Sequence, residues 1–174
     1  ALFMIVLDNL IVASALPSIE RSLNSPLSSA EWILDAYILS FAVLILTGAA
    51  LGERFGRRRV FIAGLMIFTA ASAAGALAAN VGQLVAARAI HGAGSAILMP
   101  LTLTLLTNAF PAEKRGTALG IWSSIAGLGV AAGPVVGGLI TDALSWHWIF
   151  WINVPIGAAA ALLSPRLLAE SRGA

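Results

Sequence analysis

The chain has no cysteine, which excludes disulfides and every thiolate metal site. Charge is nearly as scarce. Ten Lys and Arg and eight Asp and Glu make up 10% of 174 residues, against about 25% in a water-soluble domain. So few charges cannot cover a surface that faces water. Recognisable enzyme signatures are missing as well. There is no phosphate-binding glycine loop, and so no sign of direct ATP use. The two histidines have no ligand partners at metal spacing, so no zinc site is expected. No serine, histidine and acid are placed as a credible triad. The expectation is a chain that is not an enzyme and holds neither cofactor nor metal. What remains is apolar: 59% of residues are hydrophobic and the mean hydropathy is +0.94, so the solvent to assume is a lipid bilayer.

A spanning helix needs about 20 mostly apolar residues, and six candidates follow in order, at about 1–19, 32–51, 60–79, 83–107, 117–140 and 147–164. The sequence opens inside an apolar run without an initiating Met and stops soon after another. It is therefore expected to be a single transmembrane domain, 1–174, cut from a longer chain. The first run is not a signal peptide, because it lacks a basic flank and holds Asp8. The joints are short and polar, which makes neighbouring helices antiparallel. Lys and Arg stay on the cytoplasmic side of a membrane. Arg54, Arg57, Arg58 and Arg59 follow the second span, Lys114 and Arg115 the fourth, Arg166 and Arg172 the sixth. All eight fall on one side, so the first span runs outward and the tail is cytoplasmic. The basic pI then reflects topology, and no nucleic-acid partner is implied. Trp32, Trp146, Trp148 and Trp151 fall at outer span ends and Trp122 near an inner one, as interfacial anchors do. A faint echo links LGERFGRRRVF from Leu51 to ITDALSWHWIF from Ile140. With six spans it suggests three helices repeated in inverted topology.

Five segments stand out within this frame: LDNLIVASALP (7–17), ALGERFGRRR (50–59), RAIHGAGSA (88–96), GVAAGPVVGG (129–138) and WHWIFWINVPIG (146–157). In this order and at these spacings they resemble the major facilitator superfamily, and within it the drug/proton antiporters of the fourteen-helix type. The resemblance covers essentially the whole chain, which would be the N-terminal six-helix half. It implies an all-α integral membrane fold with a 3+3 inverted repeat, in the plasma (inner) membrane of a cell. It implies alternating access, in which this half rocks against the missing C-terminal half. The substrate would be small and lipophilic or cationic, expelled in exchange for protons, with the proton gradient as energy source. The departures are Ala49 and Glu53 where the loop pattern has glycine and aspartate, His91 where glutamine is usual, and His147 where arginine is usual. Two rivals stand beside this reading: a same-fold transporter of a metabolite or nutrient with different coupling, and a truncated membrane protein that transports nothing.

Asp8 lies about 16 Å below the outer end of its span at 1.5 Å per residue, close to the bilayer middle. An ionised carboxylate there is functional by default. The expectation is a proton or cation site facing a central cavity; the plain alternative is a carboxylate bonded to its polar surroundings. Arg88 and His91, three residues apart, share a helix face at about 10 and 15 Å depth. By the resemblance, helices one and four line the cavity, so Asp8, Arg88 and His91 form a candidate charge cluster. The alternative for Arg88 is a fixed structural partner, and for His91 a hydrogen-bonding stand-in for glutamine. Asp35 either faces the cavity and attracts cations or reaches the interface. The loop that holds Gly52, Glu53, Arg54, Gly56 and Arg57 is most simply topogenic charge, and the resemblance makes it a cytoplasmic gating latch. Gly129, Gly133 and Gly137 recur every four residues as a smooth stripe, with Gly138 beside it and Pro134 favouring a bend. Such a stripe is either a tight helix contact or, by the resemblance, the antiporter-type gasket between transporter halves.

Overall fold

A computed structural model describes residues 1–171; Arg172, counted above in the basic tail, lies outside the described residues. The fold is all helical: α1 (Leu2–Leu23), α2 (Leu27–Phe55), α3 (Arg57–Ala76), α4 (Val81–Ala109), α5 (Ala112–Ala143), α6 (Trp148–Trp151) and α7 (Asn153–Leu167). Among the described residues, six helical segments are long and apolar enough to cross a membrane, with α6 and α7 together forming the sixth, Trp148–Leu167. Most helices extend past the apolar runs that announced them. Polar residues at a span end lie in the headgroup layer, where helix remains the best way to satisfy the backbone. α1 therefore runs on to Leu23 and ends at Asn24 in the left-handed conformation (φ 48°). Pro26 then caps α2. The backbone bonding of the sixth span breaks just after Ile152, whose own dihedrals stay helical (φ −60°, ψ −30°). Pro155, in the first turn of α7, has no N–H to return to the Trp151 carbonyl.

The helices pair across the two halves of the sequence. α1 packs on α5, and α2 packs on α4, while α3 lies against α4 and α7. Under an exchange of α1–α3 with α4–α7, the α1–α5 pair maps onto α4–α2. That is the packing a 3+3 inverted repeat requires. Glycines mark both contacts. Gly48 of α2 sits so close to α4 that an added Cβ would lie 2.6 Å from the Ala96 carbonyl oxygen and 2.8 Å from the Ile97 Cα. Gly137 of α5 sits against α1, with Ser14 Cβ at 3.0 Å and the Ile11 carbonyl oxygen at 3.2 Å. Gly48 and Gly137 are 89 residues apart, the offset of the echo that starts at Leu51 and Ile140.

α4 is the hub because its two flanks are shaved to backbone. A Cβ on Gly92 would run into the Tyr37 carbonyl of α2, and one on Gly94 would lie 2.8 Å from the Phe68 nitrogen of α3. Two apolar cores result. One gathers Ile11, Val12, Ala15, Ile33, Leu84, Trp146 and Phe150. The other gathers Met4, Ile5, Leu65, Phe68, Leu98 and Leu101. Trp146 belongs to the first core at 2% exposure, which corrects its reading as an interfacial anchor: the turn ahead of α6 folds its ring inward onto Phe150. Trp32 and Trp148 are half exposed, as anchors should be.

Candidate functional site

Between the two cores lies a polar layer. Asp8, Ser72, Arg88, His91, Ser95 and Asn153 are all buried; on α3 and α4 they fall between the residues of one apolar cluster and those of the other. An isolated charge in such a place would cost several kcal/mol, and here the charges are paired. Arg88 Nη1 donates to Asp8 Oδ2 at 2.7 Å and to His91 Nδ1 at 2.9 Å. Arg88 Nε donates to the Ile33 carbonyl at 3.3 Å. The guanidinium lies over the Tyr37 ring, 4.2 Å from its centroid. Arginine only donates, so His91 Nδ1 must accept, and the imidazole is neutral with its proton on Nε2. Phe68 and Tyr37 enclose that ring, with centroids 4.0 and 5.9 Å away. Tyr37 is itself fixed, its hydroxyl donating to Ser95 Oγ at 2.8 Å, and Ser95 to the His91 carbonyl at 3.1 Å. On the other side of the carboxylate, Asn153 Nδ2 donates to Asp8 Oδ1 at 2.7 Å.

The structure thus brings Asp8, Arg88 and His91 together. It places them differently from the expectation in one respect. α1, α2, α4 and α5 line an open cavity of about 390 Å³, with Ile5, Asn9, Leu10, Tyr37, Phe41 and Met99 on its wall. Asp8 is not on its wall. The helical step from Asn9 to Asp8 turns the carboxylate away, into the packing of α4 and α7, where it is 1% exposed. Tyr37 and Asn9 are the polar residues on the cavity side, and Tyr37 stands between the cavity and the guanidinium. Asp35 does not join the cluster. It is exposed and makes no ion pair among the described residues.

Of the two readings of the glycine stripe, the structure shows the tight helix contact. Gly129, Gly133 and Gly137 are the buried residues of the stripe and all three abut α1, against Val6, Leu10 and Ser14. They form a contact inside this bundle. Gly138 points into open space, and α5 runs without interruption through Pro134, which is exposed.

At the basic end, Gly56 joins α2 to α3 at φ 107°, a conformation that L side chains avoid. Gly52 is buried against Leu101. Glu53 and Arg54 are exposed and form no ion pair among the described residues, though Arg54 stacks over Phe55 at 5.3 Å. Arg57 contributes its backbone N–H, which donates to the Ser171 carbonyl at 2.8 Å. The acid that engages this joint is Glu170, beyond the last helix. It accepts from the Arg58 N–H at 3.0 Å and lies 3.7 Å from the Arg58 and Arg59 guanidiniums. Arg58 in turn donates to the Leu168 carbonyl at 3.2 Å, near the negative end of α7. A carboxylate at the start of one helix and a cation at the end of another are both favoured by the helix dipoles. Glu170→Ala should therefore lower stability by about 1 kcal/mol, read as a thermal shift that shrinks as salt is added.

Sequence reasoning missed Asn153, Ser72, Tyr37 and Glu170 as partners. The first two were visible as polar residues inside apolar spans, and Asn153 sits within the quoted WHWIFWINVPIG segment. Glu170 gave no signal, since it lies past the last apolar run.

The family model described as Major Facilitator Superfamily matches residues 1–174. Curated relatives include the tetracenomycin C resistance and export protein of Streptomyces glaucescens, 40% identical over 97% of this chain and 31% of its own length. They also include the cephamycin export protein of Amycolatopsis lactamdurans, 42% identical over 98% of this chain and 35% of its own. The puromycin resistance protein of Streptomyces alboniger is 41% identical over 99% of this chain and 34% of its own. The chain spans about a third of the length of the curated relatives it matches.

Proposed function

We propose that this chain, which belongs to the major facilitator superfamily along all 174 of its residues, is the N-terminal six-helix half of a fourteen-helix proton antiporter that expels lipophilic, often cationic compounds. Six membrane-capable helices in a family of transporters make it part of an integral, multi-pass membrane protein and point to transport rather than enzymatic turnover. The relatives named for resistance and export support efflux of small molecules. The cavity supports the lipophilic class, since its walls are almost wholly aliphatic and aromatic. A C-terminal half would supply the opposite wall, and the basic joints would keep the tail after α7 cytoplasmic.

The observation that carries proton coupling is the sealed Asp8–Arg88 pair at 2.7 Å. Adding a proton to Asp8 removes the anion that balances Arg88. The guanidinium then has a neighbouring histidine, a carbonyl and the face of Tyr37, but no counter-ion. Rearrangement of α4 against α1 relieves that imbalance. Tyr37 lies on the cavity wall, so the same rearrangement changes the surface that meets substrate. Discharge of the proton to the opposite side resets the pair. No resident cofactor takes part; the inward proton gradient supplies the energy.

The test uses the full-length protein in inside-out vesicles with an imposed proton gradient. A fluorescent lipophilic cation should dissipate the gradient, and Asp8→Asn should abolish that response. The variant should still exchange labelled for unlabelled cation without a gradient, because asparagine keeps the shape and an acceptor for Arg88. An Asp8→Asn protein that couples as well as the parent would overturn the reading. Substrate movement with no proton response in the parent would redirect it to a same-fold transporter with other coupling.

A further inference from the structure

Asp8 has two oxygens and two sets of partners, and they lie on different helices. Oδ2 belongs to α4 through Arg88. Oδ1 belongs to the sixth span through Asn153, whose side-chain nitrogen lies 2.7 Å away. The amide orientation is fixed by chemistry, because an amide oxygen facing a carboxylate would repel it. The same nitrogen is 3.2 Å from Ser72 Oγ on α3, so both amide hydrogens have acceptors. Ser72 in turn donates to the Phe150 carbonyl at 2.8 Å. Phe150 belongs to α6 and Asn153 opens α7, so this chain of bonds bridges the break at Ile152. All three residues are buried. The groups that face Asp8 are Arg88 and His91 from α4, Tyr37 from α2, Ser72 by way of Asn153 from α3, and Asn153 itself. α5 meets the other side of α1, through its glycines.

We propose that Asn153 is a positioning residue that links the protonation of Asp8 to the α6–α7 break, so that the sixth span moves with proton uptake alongside α4. This rests on the proton-antiport reading above. Asn153 offers only N–H groups to the carboxylate, so Asp8 Oδ1 meets it as an acceptor. When a proton from water joins Asp8, the carboxyl becomes a poorer acceptor. The Asn153 bond weakens, Ser72 gains freedom to reorient, and the Phe150 carbonyl loses a fixed donor at a point where Pro155 has already removed one helix bond.

The test again uses the full-length protein, freed of any cysteine elsewhere and carrying Leu162→Cys with an environment-sensitive fluorophore on the exposed face of α7. The label signal should titrate with the pH dependence of transport. Asn153→Ala should move the midpoint of that pH dependence, because the carboxylate loses one of its two side-chain donors. Ser72→Ala should leave that midpoint in place and flatten the label titration, because it cuts the link to α6 without touching Asp8. An unchanged midpoint in Asn153→Ala, or an unchanged label response in Ser72→Ala, overturns the inference. If Asn153→Ala does not assemble, Ser72→Ala decides alone. If Asp8→Asn itself leaves coupling intact, the antiport reading is what has failed.

Discussion

Replacing Arg88 with leucine should destabilise the folded protein by about 3–5 kcal/mol, the effect of leaving one member of a buried ion pair without its partner. Arg88 is fully buried, and Asp8 retains only the Asn153 bond once the guanidinium is gone. Water cannot compensate at that depth between two apolar cores. The effect should appear as a large fall in the unfolding temperature of the purified full-length protein in detergent. Arg88→Lys should be nearly as harmful. An ammonium has no planar fork, and it cannot hold Asp8, His91 and the Ile33 carbonyl while lying flat on Tyr37. The double variant Asp8→Asn with Arg88→Leu should recover part of the loss, since both charges leave together. Equal unfolding temperatures for Arg88→Leu and the parent would mean that the pair contributes nothing to the fold.

The second large effect concerns a single methyl group. Gly92→Ala should cost about 1–3 kcal/mol, the usual range for overpacking a close contact. Gly138→Ala should be neutral or stabilising by up to about 1 kcal/mol. Both glycines are inside helices, and propensity favours alanine equally at each. Space separates them. The added carbon at Gly92 meets the Tyr37 carbonyl and lies 3.1 Å from its Cα, whereas at Gly138 nothing lies within 4 Å. Backbone cannot rotate out of the way, so α2 and α4 must separate. That separation also lifts Tyr37 from Arg88, and Gly92→Ala should therefore impair coupling beyond its effect on stability. Thermal unfolding of the two variants side by side checks the first part, and proton-driven transport at matched protein levels checks the second.

Much of this arrangement was legible in the residues. Spanning helices declare themselves through length and hydropathy, and depth along a helix is simple arithmetic, so the sequence alone puts Asp8 and His91 at one level. Rotation about the helix axis was not legible. Whether Asp8 faces the cavity or the packing depends on which neighbours surround α1, and one residue's turn of the helix separates Asn9 on the wall from Asp8 behind it. The glycine stripe shows the same limit. Its spacing announces a close contact but not the partner, and the partner is α1. Asn153 and Ser72 were readable as polar residues in apolar spans. The bonds from Asn153 to Asp8 and to Ser72 join positions 145 and 81 residues apart, which no local pattern encodes. Glu170 acts through a helix start and end brought together only by the packing of α3 on α7.

The crossed pairing of α1 with α5 and α2 with α4 has a consequence for biogenesis. During synthesis the first three helices enter the bilayer before their main partners exist. α2 must wait for α4 to emerge, and α1 for α5. Neither three-helix set closes on itself, so contacts of long sequence separation dominate and assembly is slow relative to helix formation. The nascent chain therefore holds Asp8 in lipid without Arg88 for the time it takes to make some eighty further residues. An assembling ribosome complex halted after α3 should present a loosely associated, protease-sensitive bundle, and one halted after α5 a consolidated one.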